Sequence, residues 1–151
     1  MNSDLESIQI VWLKRDLRLE DHPPLTHALK SGRRVLLLFV FEKLLLEDPH
    51  YSPRHIYFIK QSICALNEQL KAFNSKILTT QGQVISALES LSQKYQIEKI
   101  WAHQETGVMS TYHRDLTLIK WCQKEKIPFE EKLQQGVFRG LKNRVQWLKK
   151  W

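Results

Sequence analysis

The sequence has few of the features that mark secreted, disulfide-bonded or membrane proteins. Its two cysteines, Cys64 and Cys122, lie far apart at apolar positions of helical patterns. They are therefore predicted to be buried thiols, neither a disulfide nor a metal pair. No apolar run approaches a membrane span, and the first ten residues lack the basic start and apolar middle of a signal peptide. We expect a cytoplasmic protein without membrane contact.

The sequence also lacks the common motifs for phosphate binding and hydrolysis. With five glycines in 151 residues, no G-x-G-x-x-G follows the first apolar run and no G-x-x-x-x-G-K-[ST] occurs. H-E-x-x-H and G-x-S-x-G are absent as well. The six histidines show no metal-ligand spacing, and most are predicted at the surface or at helix starts. An ordinary dinucleotide or triphosphate cradle, a metal site and a catalytic residue are therefore not predicted.

Positive charge is concentrated at the end of the chain. The net charge is +7, and residues 139–151 carry five basic residues and no acidic one. A basic segment of this kind binds nucleic acid or a membrane surface, or forms the solvated face of a helix. The pattern itself leaves these interpretations open.

Apolar periodicity predicts alternating strands and helices. Strands are predicted at Ile8–Leu13, at Val35–Phe41 and at residues 76–80, 97–102 and 127–133. The last should lie at a sheet edge, because Pro128 cannot donate to a central ladder. Alternation of this kind indicates a Rossmann-like three-layer α/β/α sandwich with a five-stranded parallel sheet. The domain should occupy residues 1–135, and residues 136–151 should begin an interdomain linker or helix.

Helix boundaries follow from caps and prolines. Pro23 should open one helix, and Ser52 should cap the most regular one, before Pro53. A further helix should begin at Ser110 or Thr111. Its inward face is predicted from the four-residue and three-residue spacing of apolar side chains, namely Tyr112, Leu116, Ile119 and Cys122.

Six charged residues directly follow the first strand, and the turn Lys14–Arg18 begins this run. Ligands of open parallel sheets bind at the carboxyl ends of the strands. The segment His103–Gly107 should reach the same edge. There, Arg15, Asp16 and Arg18 either pair with one another or face a ligand.

Three segments resemble the DNA photolyase and cryptochrome family. "IVWLKRDLRLEDHPPLTHAL" (residues 10–29) is similar to its W-x-[RK]-R-D-L-R-L-x-D-[NH]-P-x-L pattern. "HQETG" and the following residues to Asp115 resemble an H-E-E-T-G…Y-A-R-D segment. "GVFRGLKNRVQWLKKW" (residues 136–151) resembles the start of the interdomain connection.

The resemblance implies a light-harvesting N-terminal domain that is not catalytic alone. The parent would be a blue-light flavoprotein, either a deoxyribodipyrimidine photolyase (a carbon–carbon lyase that repairs DNA) or a cryptochrome. FAD, the electron-transfer tryptophans and the DNA-lesion pocket belong to a helical domain that this chain lacks. The chain would be a piece of such a protein or the product of a shortened gene. By itself it would bind at most an antenna pigment: a folate, a deazaflavin or FMN.

Two groups of residues match the family's pigment surfaces. They are the turn Arg15, Asp16, Leu17 and the segment Gln104, Glu105, Thr106; a glutamate is common in the family where Gln104 stands. Apolar walls are expected from Leu13, Phe39, Phe41 and Trp101. Asp16 and Arg18 are interpreted as mainly structural.

Two other interpretations remain. One is a small-nucleotide-binding domain of the universal stress protein or electron-transfer flavoprotein type, and the other is a ligand-free interaction module. A helix from Leu141, with Trp147 and Trp151 on a second strip, should seek a partner surface. That partner is expected to be the parent's C-terminal FAD-binding domain, with weak self-association of the isolated chain. DNA would be reached only through the parent.

Overall fold

A computed structural model describes residues 5–134, together with residues 137, 139, 143, 145 and 147. Five strands form one sheet in the order β3-β2-β1-β4-β5, and all pairs of neighbouring strands are parallel. The strands are β1 (Glu6–Leu13), β2 (Arg34–Glu42), β3 (Leu78–Gly82), β4 (Tyr95–His103) and β5 (Phe129–Lys132). The predicted five-stranded parallel sheet is confirmed, with β1 at its centre and β5 at an edge.

Helices connect the strands. They are α1 (Pro23–Lys30), α2 (Lys43–Leu46), α3 (Pro53–Leu70), α4 (Val84–Ser92) and α5 (Met109–Glu125), and a short 3₁₀ turn (Lys71–Phe73) follows α3. The stretch that contains α2 showed no periodicity, because one helical turn is too short to produce a pattern.

The strand β1 separates two apolar layers. Ile10 and Trp12 face α4 and α5, whereas Val11 and Leu13 face α1 and α3. Both sets are buried, because a strand covered on both faces alternates its side chains between two cores. The structure therefore has the three predicted α/β/α layers.

The inward face of α5 differs from the prediction. The helix begins at Met109, without a side-chain cap, and its buried residues are Thr111, Asp115, Leu118 and Cys122. Leu116, which was predicted to be buried, is 38% exposed. Compared with the prediction, the buried face is turned towards Asp115, whose carboxylate takes part in the ion pairs described below. The spacing of apolar residues could not predict this face, because a buried carboxylate is not part of an apolar pattern.

Cys64 is exposed and Cys122 is buried, so the prediction of two buried thiols is wrong for Cys64. It lies on the outer side of α3. Apolar residues spaced three and four apart bury one face of that helix, and Cys64, next to buried Ile63, points to solvent. Most of the predicted tail helix, including its start at Leu141, lies outside the described residues. Among the helices that the structure describes, none is long and apolar enough to cross a membrane.

Candidate functional site

The turn Lys14–Arg18 and the segment His103–Gly107 extend from neighbouring strands, β1 and β4. From β1 the chain continues to β2, which lies on one side of β1, and then to β3. From β3 it crosses to β4, which lies on the other side of β1. This is the switch point at which open α/β sheets bind ligands. Side chains of the protein itself fill much of the space there.

Asp16 is the centre of one buried cluster. Its Oδ1 accepts a hydrogen bond from the backbone N–H of Lys14 at 2.6 Å, and its Oδ2 lies 2.5 Å from Nδ1 of His103. Nε2 of His22 is 2.9 Å from the same oxygen, although its N–H is not well aligned for a hydrogen bond. Burial by itself would raise the pKa of Asp16, but its contacts with the two histidines and Lys14 hold it well below its usual value.

The same three side chains bring one carboxylate and two imidazoles within 4.8 Å of one another. Nδ1 of His22, however, accepts a hydrogen bond from the backbone N–H of Leu25 at the start of α1. The ring proton of His22 therefore lies on Nε2, which faces Asp16 and is not free to bind a metal ion. The cluster fits a buried triad, in which Asp16 bonds to His103 and contacts the ring of His22, better than a metal site. Its three members come from different elements, which is why sequence spacing did not reveal it.

A second cluster surrounds Trp12. Nζ of Lys14 is 2.6 Å from Oδ2 of Asp115 and 4.6 Å from the centre of the Trp12 ring. The guanidinium of Arg114 also lies 4.6 Å from that ring. It bonds to the carboxylates of Glu42 and Asp115. These charges are buried but paired, which limits the free-energy cost of removing them from water.

Glu105 joins this cluster to Arg15. Its carboxylate bonds to the guanidinium of Arg15, lies 3.0 Å from Arg114 and accepts the backbone N–H of Gly107 at 2.7 Å. Burial alone would raise the pKa of Glu105, but Arg15 and the other donors lower it. A Cβ atom at Gly107 would lie 2.6 Å and 2.8 Å from the guanidinium nitrogens of Arg15. A side chain at this position would require the guanidinium of Arg15 to move.

Of the two alternatives for Arg15, Asp16 and Arg18, pairing with one another is therefore wrong. Arg15 pairs with Glu105, Asp16 with the two histidines, and Arg18 with Asp21. The partners of the first two include residues at the end of β4, about 90 positions away in sequence.

An open cleft of about 660 Å³ lies beside this turn, towards α3. Leu17, Phe58 and Ile59 form apolar walls, and Phe58 is 68% exposed. The remaining lining residues are polar, charged or aromatic: Arg15, Asp16, Arg18, Tyr51, Arg54, His55 and Ser62.

A smaller cavity of about 70 Å³ lies deeper, at the ends of β1 and β2. Leu13 and Phe39 contribute to its walls, and Glu105 contributes a carboxylate. Arg15 and Tyr51 line both the cavity and the outer cleft. These two side chains stand between the two spaces.

The predicted site residues are distributed unequally. Arg15, Asp16 and Leu17 line the outer cleft, and Glu105 lines the inner cavity. Gln104 and Thr106 line neither, and Thr106 is exposed. Their assignment to a pigment site stays a prediction.

Two of the expected walls, Leu13 and Phe39, border the inner cavity. Trp101 instead packs in the core, stacked on His27 with ring centres 5.5 Å apart. Phe41 packs against the same core. Sequence reasoning missed the contribution of α3, whose outward residues Arg54 and Phe58 face the cleft. The feature of the sequence that could have indicated this contribution is Phe58, an aromatic residue between the polar residues Arg54 and Ser62 on one face of α3.

Comparison with known proteins gives the same fold and places the chain in a family. Residues 9–139 match the family model of DNA photolyase. Cryptochrome DASH from Synechocystis sp. is 30% identical over 101 residues, which cover 64% of this chain and 21% of that protein. Deoxyribodipyrimidine photo-lyase from Alkalihalophilus pseudofirmus is 28% identical over 134 residues, which cover 85% and 26%.

Solved structures show the same architecture. A cryptochrome from Synechocystis sp. superposes with a TM-score of 0.78 at 25% identity, over 85% of this chain and 28% of that one. An archaeal photolyase from Sulfolobus tokodaii superposes with a TM-score of 0.77 at 22% identity, over 95% and 34%.

Fold and comparisons together define a Rossmann-like α/β domain of the kind found at the N-terminus of photolyases and cryptochromes. The chain belongs to the DNA photolyase family. It spans about a fifth to a third of the length of the relatives reported above.

Proposed function

We propose that this chain is the light-harvesting domain of a photolyase or cryptochrome and that its outer cleft holds an antenna pigment. The observation that carries the proposal is the cleft of about 660 Å³ beside the turn Lys14–Arg18. Residues 1–135 would form this domain, and residues 136–151 would begin the connection to the next. The cytoplasmic location expected from the sequence is part of the same proposal.

The cleft suits a planar pigment in size and in lining. Small-molecule sites occupy about 300–1,000 Å³ and combine apolar walls with a few polar groups. Here Leu17 and Ile59 supply aliphatic surface, and Phe58 supplies a ring on which a planar ligand can stack. Arginine side chains at the rim supply polar contacts.

The chemistry of the whole protein would need the helical domain. In the proposed parent, FAD lies in that domain, where it drives DNA repair or signalling, and the pigment held here passes excitation energy to it. The structure of the Sulfolobus tokodaii photolyase contains two FAD molecules, with the implication of a novel light-harvesting cofactor. For the present chain we infer no catalysis on its own, and contact with DNA only through the parent.

Absorption spectroscopy tests the proposal. The purified chain is titrated with a folate, a deazaflavin and FMN, and the spectrum is followed from roughly 300 to 500 nm. We expect one of them to bind with a shifted or sharpened band. Phe58→Ala should weaken that binding, whereas Phe73→Ala should not, because Phe73 is 76% exposed and does not line the cleft.

Two results would contradict the proposal. One is a flat titration with all three pigments on folded protein. The other is tight binding of ATP or AMP in their place, which would favour the small-nucleotide-binding interpretation.

A further inference from the structure

We propose that the cleft selects pigments that carry an anionic group, a phosphate or a carboxylate, and that Arg54 binds this group. The inference rests on the proposed function, because it assumes that the outer cleft is the pigment site. It adds the charge of the ligand and the residue that recognises it.

The lining of the cleft is strongly biased towards positive charge. Three arginines, Arg15, Arg18 and Arg54, line it, and the one carboxylate among its described lining residues is that of Asp16. Asp16 is 3% exposed and is already engaged by Lys14 and the two histidines. It therefore offers little negative charge to a ligand, and an anionic ligand is favoured over a neutral one.

Two of the three arginines are already occupied. The guanidinium of Arg15 bonds to buried Glu105 and packs against Gly107, so its position and charge are largely committed to the protein. Nε of Arg18 donates to the backbone carbonyl of Asp21 at 3.0 Å. Its Nη2 lies 3.8 Å from the Asp21 carboxylate.

Arg54 is placed differently. Within the described part of the chain, its side chain has no hydrogen bond and no ion pair, and it is exposed in the first turn of α3. It lies four residues before Phe58, so the two side chains share one face of the helix. A ring stacked on Phe58 would bring an attached anionic group towards Arg54. The planar guanidinium fork suits phosphate and carboxylate oxygens.

FMN and riboflavin test the inference, because they share the ring system and differ in the phosphate. We expect FMN to bind the full chain about tenfold more tightly than riboflavin, equivalent to roughly 1.4 kcal/mol. Arg54→Gln should remove most of this preference and leave riboflavin binding unchanged. Lys60→Gln, on the same helix but outside the cleft, is the matched control and should keep the preference.

A second pair, folic acid and its dimethyl ester, shares the pteroyl ring system and differs in the two ionised glutamate carboxylates, so it distinguishes carboxylate from phosphate recognition. Raising the salt concentration should weaken only the anionic member of the preferred pair. If both members of each pair bind equally well, or if Arg54→Gln retains the preference, the inference is wrong while the pigment site stands. If no member of either pair and no deazaflavin binds to folded protein, both the inference and the proposed function fail.

Discussion

Replacing Asp16 with asparagine tests whether the buried triad holds the turn after β1. The substitution keeps the size of the side chain and creates no cavity. It removes the negative charge and presents an amide N–H₂ group to the ring N–H donors of His22 and His103. The two imidazoles are almost completely buried, so water cannot replace the lost acceptor.

The magnitude follows from the contacts that the two histidines lose. A buried donor that loses its acceptor costs about 1–3 kcal/mol. The asparagine oxygen can still accept the N–H of Lys14. Nδ1 of His103, however, loses its hydrogen-bond acceptor, and Nε2 of His22, 2.9 Å away, loses the adjacent negative charge. We expect the free energy of unfolding to fall by about 3 kcal/mol, and the melting temperature by roughly 6–12 °C for a domain of this size.

Urea denaturation followed by circular dichroism measures this loss. Asp21→Asn is the control, because the Asp21 carboxylate is 95% exposed and asparagine tolerates its left-handed backbone, with φ of 46°. A surface change of this kind should stay within about 0.5 kcal/mol. Equal stability of the two variants would refute the structural role assigned to Asp16.

The effect should also depend on pH in one direction. The pKa of Asp16 is lower in the folded protein than the value of about 3.9 in an unfolded chain. Its carboxylate therefore stabilises the fold fully above about pH 5, and that contribution decreases as the pH falls through roughly 4 and below. The stability difference between wild type and Asp16→Asn should decrease over the same range. A difference that grew on acidification would contradict this assignment.

Three further predictions concern the neighbouring groups. Arg114→Ala leaves three buried carboxylates without their guanidinium partner, and it should lower the free energy of unfolding in urea by about 3–5 kcal/mol. Cys64 should react with a thiol reagent in the native protein, whereas Cys122, whose pKa burial raises to about 11, should react only after unfolding. Gly107→Ala should displace the guanidinium of Arg15 and weaken its bond to Glu105, at a cost of about 1 kcal/mol.

Each of these predictions has a result that would refute it. If Arg114→Ala unfolded with the same free energy as the wild type, the ion cluster around Trp12 would make no net contribution to stability. Two reactive thiols in the native state would place Cys122 at the surface. A Gly107→Ala protein with unchanged stability would show that Arg15 does not need the space above Gly107.

Several features of the fold could be predicted because their causes are local. The apolar run of β1 requires cover on both faces, and Pro23 begins α1 at its first turn. The strand β5, which directly follows Pro128, lies at an edge of the sheet, as predicted. Parallel strands end at a common edge, so the meeting of Lys14–Arg18 with His103–Gly107 also followed from order along the chain.

The side-chain partners at the carboxyl ends of β1 and β4 could not be predicted in the same way. Apolar periodicity does not detect a buried charge. The inward face of α5 was therefore predicted wrongly, and Asp115 was not recognised as an inward residue. Likewise, the sequence offered pairing among Arg15, Asp16 and Arg18 as one of two alternatives, whereas Arg15 and Asp16 bond to Glu105 and His103 at the end of β4.

The sequence by itself determined the α/β architecture, the family and the meeting of Lys14–Arg18 with His103–Gly107 at one edge of the sheet. These depend on strand order, turn residues and a contiguous motif. Only the tertiary structure decided that Asp16 is held by His22 and His103 and that Arg54 lines the cleft with no side-chain partner among the described residues. The physical reason is that the crossovers between strands bring side chains together across long stretches of chain, and no local pattern records which of them will meet.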